Sequence, residues 1–161
     1  MPTIILSSTI TNRTITNLIN GVAYSYPGIS LNAPVTATSV LNIMKGTIPT
    51  DFSTLTSSSS RSTDNLVSFN IFGKATVANT NTLRIDTGSN YVYPSQSGIA
   101  SWFWIFVTNN STADIGAFQM IGTISTTGGG GDMQFDNTNL QTSYAFKLSN
   151  VLISVDYTQT F

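Results

Sequence analysis

The side chains of this sequence best placed to do chemistry are seven aspartates: Asp51, Asp64, Asp86, Asp114, Asp132, Asp136 and Asp156. Histidine, cysteine and glutamate are all missing. Without imidazole or thiol, Ser-His-Asp and Cys-His systems have no parts to be built from, and nitrogen- or sulfur-ligated zinc is excluded. Asp alone leaves two options. A carboxylate pair can run acid–base hydrolysis, as in glycosidases and aspartic proteases, or carboxylates can gather oxygen ligands around calcium.

Neither option finds a good motif. Asp86-Thr87-Gly88 spells the aspartic-protease tripeptide, but it follows Arg84, runs into Ser89-Asn90 and has no duplicated partner, so it reads as a turn. Asp132-Met133-Gln134-Phe135-Asp136 sets two carboxylates four apart beside Asn137 and Asn139, the one pair with plausible calcium spacing. It does not match the Asp-x-Asp-x-Asp-Gly loop and reads as a strand edge and turn. Gly128 to Gly131 could wrap a phosphate, yet no Lys follows and no helix starts there. Asn12-Arg13-Thr14 and Asn109-Asn110-Ser111-Thr112 spell glycosylation acceptors but reflect Asn/Thr richness. Tyr91, Tyr93 and Trp104 could stack on sugars, although aromatics of an all-β chain are more often core. The expectation is a non-enzyme with no catalytic residue, cofactor or metal.

Composition agrees with a surface-acting protein. The chain has 161 residues, enough for one hydrophobic core, and is read as a single domain over 1–161. Charged residues make up only 8%, against an ordinary share of about 25%. With a net charge of -1, little electrostatic repulsion keeps copies apart. That predicts a protein packed against itself. Arg13, Lys45, Arg61, Lys74, Arg84 and Lys147 stand singly, which argues against nucleic acid. The strongest apolar stretch, Ile99 to Val107, is half a membrane span, so no membrane partner is expected. Met1 to Ser7 carries no basic segment and too short an apolar run for a signal peptide, which predicts a soluble chain made in a cytoplasm.

Such residues need strands to position them. Thr3–Ile10, Val35–Met44, Leu66–Phe72, Thr82–Asp86, Ile99–Val107, Ile115–Ile124 and Tyr144–Tyr157 are rich in Ile, Val, Thr and aromatics, with turn residues between them. This spacing predicts an all-β, antiparallel sandwich or jelly roll. At most one short helix is expected, over Arg13–Asn20, capped by Asn12 and stopped by Gly21. Thr54–Thr63 reads as a flexible surface loop and Thr126–Gly131 as a mobile turn.

The strand around Trp102 is the most informative. Trp102, Trp104 and Phe106 alternate onto one face, and Phe103, Ile105 and Val107 onto the other. Two large apolar faces must both be covered. Either two layers of the same chain enclose the strand, or Trp102, Trp104 and Phe106 form a self-association face closed by another copy.

Three stretches resemble small β-rich virion proteins of tailed bacteriophages. They are Leu41-Asn42-Ile43-Met44-Lys45-Gly46-Thr47-Ile48-Pro49 with Phe52; Leu83-Arg84-Ile85-Asp86 leading to Trp102-Phe103-Trp104-Ile105; and Gly131-Asp132-Met133 through Asn139-Leu140 to Leu152-Ile153. The resemblance implies a capsid cement (decoration) protein or a tail component, commonly a homotrimer or larger assembly. It would sit in the virion beside the major capsid protein, after assembly in the host cytoplasm. No catalytic residue is carried over. A carbohydrate- or receptor-binding β module is the alternative from the residues themselves.

Overall fold

The computed structural model describes residues 5–6, 24–26, 29–31, 38–79, 82–88, 91–108, 115–148 and 150–154. All-β is the right class: among these residues the one helical element is a single 3-10 turn, Ser62–Asp64. The helix expected over Arg13–Asn20 lies outside the described residues.

The strands are β1 (Ile5–Leu6), β2 (Tyr24–Tyr26), β3 (Ile29–Leu31), β4 (Thr38–Lys45), β5 (Asn65–Asn70), β6 (Ala75–Asn79), β7 (Thr82–Asp86), β8 (Gly98–Thr108), β9 (Ile115–Thr126), β10 (Met133–Phe135), β11 (Asn139–Leu140) and β12 (Asn150–Ser154). A large sheet runs β1-β9-β8-β4-β5, with β10 added on β9 and β11 on β8. A smaller antiparallel sheet runs β12-β7-β6, and β2 pairs with β3. Registers slip by one residue between Ile43 and Met44 and between Met44 and Lys45, and by two between Phe106 and Thr108. Such bulges raise local twist, and they accompany the curl of the large sheet into a half-barrel.

That sheet is mixed rather than purely antiparallel, because β10 runs parallel to β9 with Met133 opposite Ile124 and Phe135 opposite Thr126. Parallel neighbours ordinarily need a crossover of about a dozen residues or more. Here only residues 127–132 separate the strands. The glycine run makes the sharp return possible in two ways. Gly128 and Gly130 have φ of 83° and 79°, where a side chain strains the backbone. A Cβ on Gly131 would stand 2.8 Å from the Ser125 nitrogen. The stretch expected to be a mobile turn is instead fastened by Gly129 N–H to the Thr126 carbonyl and by Gly131 N–H to Ser125 Oγ.

Leu41, Ile43, Phe103, Ile105 and Met120 of the large sheet share one buried cluster with Leu83, Ile85, Val151 and Ile153 of the smaller sheet. Alternation places these residues on one face: β7 reads Leu83-in, Arg84-out, Ile85-in. Fully burying each such side chain stabilises by about 1.5–3 kcal/mol.

One strand expectation needs correction. Tyr144–Tyr157 is not one strand, since β12 occupies only Asn150–Ser154. Residues upstream pair elsewhere, through a single bridge of Phe146 to Val92 with N···O distances of 2.7 and 2.8 Å. β-prone residues run through the segment, but the pairing partner changes from the Val92 segment to β7, and composition carries no mark of that change.

Candidate functional site

Each described aspartate bonds to a residue close to it in the chain, at the backbone or at a side chain. Asp51 Oδ1 accepts from the Ser53 amide at 2.8 Å and its hydroxyl at 2.5 Å. The Ser53 hydroxyl and amide hold this carboxyl below its ordinary value of 3.8. Asp64 pairs with Arg61 Nε at 2.5 Å. Asp86 Oδ1 accepts the Gly88 amide at 2.8 Å, so Asp86-Thr87-Gly88 is an Asx-type turn.

The pair singled out for calcium spans the parallel step. Asp132 Oδ2 accepts from the Thr123 amide at 2.8 Å and hydroxyl at 2.7 Å, and Asp136 Oδ1 accepts the Thr127 hydroxyl at 3.0 Å. Each carboxylate thus meets the threonine nine positions earlier, continuing the β9–β10 register beyond both ends of the ladder. Asp114 and Asp156 lie outside the described residues, as do both glycosylation spellings.

Trp102, Trp104 and Phe106 are fully or almost fully buried by this chain itself. They cluster with Met44, Leu55 and Ile121, with Val40, Ile48 and Phe52 packed at the margin. Of the two coverings weighed from sequence, the chain supplies its own. Among the described residues, the cover includes Ile48, Phe52 and Leu55 of the 47–61 segment, which takes in most of the Thr54–Thr63 stretch expected to be a flexible loop. That segment is ordered by an apolar plug and small turns: Leu55 is fully buried, and its amide donates to the Phe52 carbonyl. The Ser60 hydroxyl accepts from the Thr56 and Ser57 amides.

Arg61 fastens the cover's end. Its guanidinium lies 5.8 Å from the Trp102 ring centroid and donates to the Thr47 carbonyl. Both indoles are satisfied, Trp102 Nε1 by the Lys45 carbonyl and Trp104 Nε1 by Gln119 Oε1. Buried in this way, Trp104 cannot stack on a sugar. Tyr91 and Tyr93 can be reached by one, being 67% and 68% exposed.

An open groove of about 390 Å³ lies between Pro94, the strand and turn 134–141, and residues 144–148. Leu140 is buried at its lining, where Phe135 and Phe146 also meet with ring centroids 5.5 Å apart. Phe146 also packs against Phe69, which anchors that side of the groove to the core. The rim is amide-rich, with Gln134, Asn137, Asn139 and Gln141, and carries Tyr144 at 71% exposure. Local bonds orient these side chains: Asn137 Oδ1 accepts the Asn139 amide at 2.9 Å, and Gln134 Oε1 accepts the Gly128 amide at 2.9 Å.

Nothing in the sequence marked this groove, the plug role of Leu55 or the fastening role of Arg61. The alternation Asn137-x-Asn139-x-Gln141 was the available signal for one wall. The groove itself depends on the Val92–Phe146 bridge, which no local pattern announces.

No protein-family model, curated protein or solved structure matches this chain.

Proposed function

We propose that this chain is a non-enzymatic virion structural protein, a capsid cement by first reading and a tail component by the second. It works by surface contact with copies of itself and with neighbouring virion proteins. We read its two sheets as a sandwich-like pair of layers, on the strength of the core cluster they share.

The observation that carries the reading is how the carboxylates are used. Asp51, Asp64, Asp86, Asp132 and Asp136 each bond to their own chain within nine residues, as turn and edge fasteners. With so few charged residues in the chain, much of the outer surface falls to uncharged amides, hydroxyls and apolar side chains, which associate without titratable groups. Phe72, Val77, Ile99 and Leu152 are large apolar side chains more than two-fifths exposed. With Trp102, Trp104 and Phe106 enclosed, an assembly contact uses outer residues of this kind, and the tryptophan strand supports it from beneath.

Sedimentation equilibrium tests the reading. A homotrimer or larger closed oligomer, retained on dilution to low micromolar concentration, is expected. A monomer persisting at high micromolar concentration, with no binding to a virion shell, would overturn it.

A further inference from the structure

We propose that the groove between residues 134–141 and 144–148 is a binding site for a neutral carbohydrate, holding a pyranose against Tyr144. This inference does not depend on the assembly reading, since a monomer or an oligomer could carry the site.

The groove's volume, about 390 Å³, falls within the span of roughly 300–1,000 Å³ usual for small-molecule sites. Its chemistry is more telling than its size. A pyranose presents hydroxyls that both donate and accept, together with flat patches of C–H. The rim offers the complement of each.

Among the described residues, Asn137 Nδ2, Asn139 Nδ2 and Gln134 Nε2 have no partner, and each can donate. Gln141 Oε1 and Asp136 Oδ2 are left to accept, because Gln141 uses its nitrogen toward Asn139 and Asp136 uses Oδ1 toward Thr127. In three of these residues the opposite end of the same group is tied to a turn: Gln134 to Gly128, Asp136 to Thr127 and Asn137 to Asn139. The free ends are therefore oriented before any ligand arrives, which lowers the ordering cost of binding. Tyr144 lines the same groove with an exposed ring for the C–H patch.

Charge favours an uncharged sugar. Asp136 is the groove's acidic lining residue, and its partner-free oxygen would repel a carboxylate or sulfate. The lining also includes Lys147, whose Nζ sits 5.5 Å from the Tyr91 ring centroid. An uncharged ring with several hydroxyls fits amides, one carboxylate and one exposed aromatic better than an anion or an apolar ligand.

The test is saturation-transfer NMR on the full chain with a panel of neutral disaccharides built from glucose, galactose, mannose and N-acetylglucosamine, with a sialylated trisaccharide alongside. Ring C–H signals of at least one neutral sugar should saturate, with affinity in the millimolar range. Tyr144→Ala should weaken binding roughly tenfold or more, as loss of an aromatic anchor does. Asn137→Asp tests the rim separately, because it keeps the Oδ1 acceptor for the Asn139 amide and removes the Nδ2 donor. It too should weaken binding, with an unchanged melting temperature. Thr76→Ala, on the exposed side of β6, should bind like the parent. No transfer from any neutral sugar, binding indifferent to Tyr144→Ala, or preference for the sialylated sugar would each overturn the proposal.

Discussion

Asp132 is the residue whose role can be tested most sharply. Its carboxylate takes both the amide and the hydroxyl of Thr123 where β10 leaves the glycine run. Asp132→Ala would leave a half-buried amide without its acceptor, so a loss of about 1–3 kcal/mol is expected in chemical denaturation. Asp132→Asn keeps an acceptor and should lose less than half as much. If the Asp132–Asp136 pair serves only this fastening role, added calcium or chelator should leave the parent's melting temperature unchanged. A calcium-dependent rise would reveal a bound ion through mass action. Asp51 sets a different test. The Ser53 bonds depress its folded pKa below 3.8, so its contribution to stability is full above that value. It disappears as pH falls from 3.8 through the lowered folded value. Acid titration should therefore release the Asp51–Ser53 turn in the parent, read as a shift of the Ser53 amide resonance by NMR. Asp51→Ala should remove that acid-dependent component.

At the scale of elements, the 47–61 segment and the glycine run decide the outcome. Leu55 is the plug of the cover, with no exposure to solvent. Leu55→Ala should cost about 2–5 kcal/mol, the usual range for a buried leucine, with red-shifted fluorescence from Trp102 or Trp104. An unchanged spectrum and stability would mean that the cover contributes nothing. Gly122 sits opposite Phe103 across the β8–β9 pair, and a Cβ there would come within 2.6 Å of the phenylalanine ring. Gly122→Ala should destabilise by about 1–3 kcal/mol through overpacking, and Phe103→Leu in the same chain should recover part of the loss. The same close approach explains why a long strand of good β-formers tolerates glycine at its centre: the ring takes the space of the missing side chain.

At the scale of the whole molecule, the pairings are far apart in sequence. Thr38 lies opposite Thr108, Ile5 opposite Ile121 and Ile85 opposite Val151. Closing loops of that length before any pairing is rewarded makes folding slow, on the order of milliseconds to seconds. Stopped-flow refolding should fall in that range, and microsecond folding would contradict the long-range registers. Most of β4, β7, β8 and β9 was legible beforehand, because alternation and β-branched residues mark each of them. β6, β10 and β11 were not, being short and flanked by Gly, Asn and Asp that read as turns. The proposed groove was illegible for a related reason. Its two walls come from segments that meet only through the bridge of Val92 to Phe146.

By itself, the sequence determined the class and the exclusions. Alternating apolar residues with frequent turn signals require strands, and a chain without His, Cys or Glu has no parts for imidazole or thiolate chemistry. It also determined that the faces of Trp102 and Phe103 must both be covered, since an exposed pair of tryptophans is too costly to leave in water. Only the tertiary structure decided what covers them. A serine-rich stretch with no apolar period supplies one well-placed leucine, Leu55, which the fold brings into the cluster of Trp102 and Trp104 beside Ile48 and Phe52. Likewise, spacing alone made Asp132 and Asp136 a plausible ligand pair, and the parallel return of β10 gave each a threonine instead. Local pattern governs backbone conformation, but which distant group a side chain meets is set by how the sheets fold onto one another.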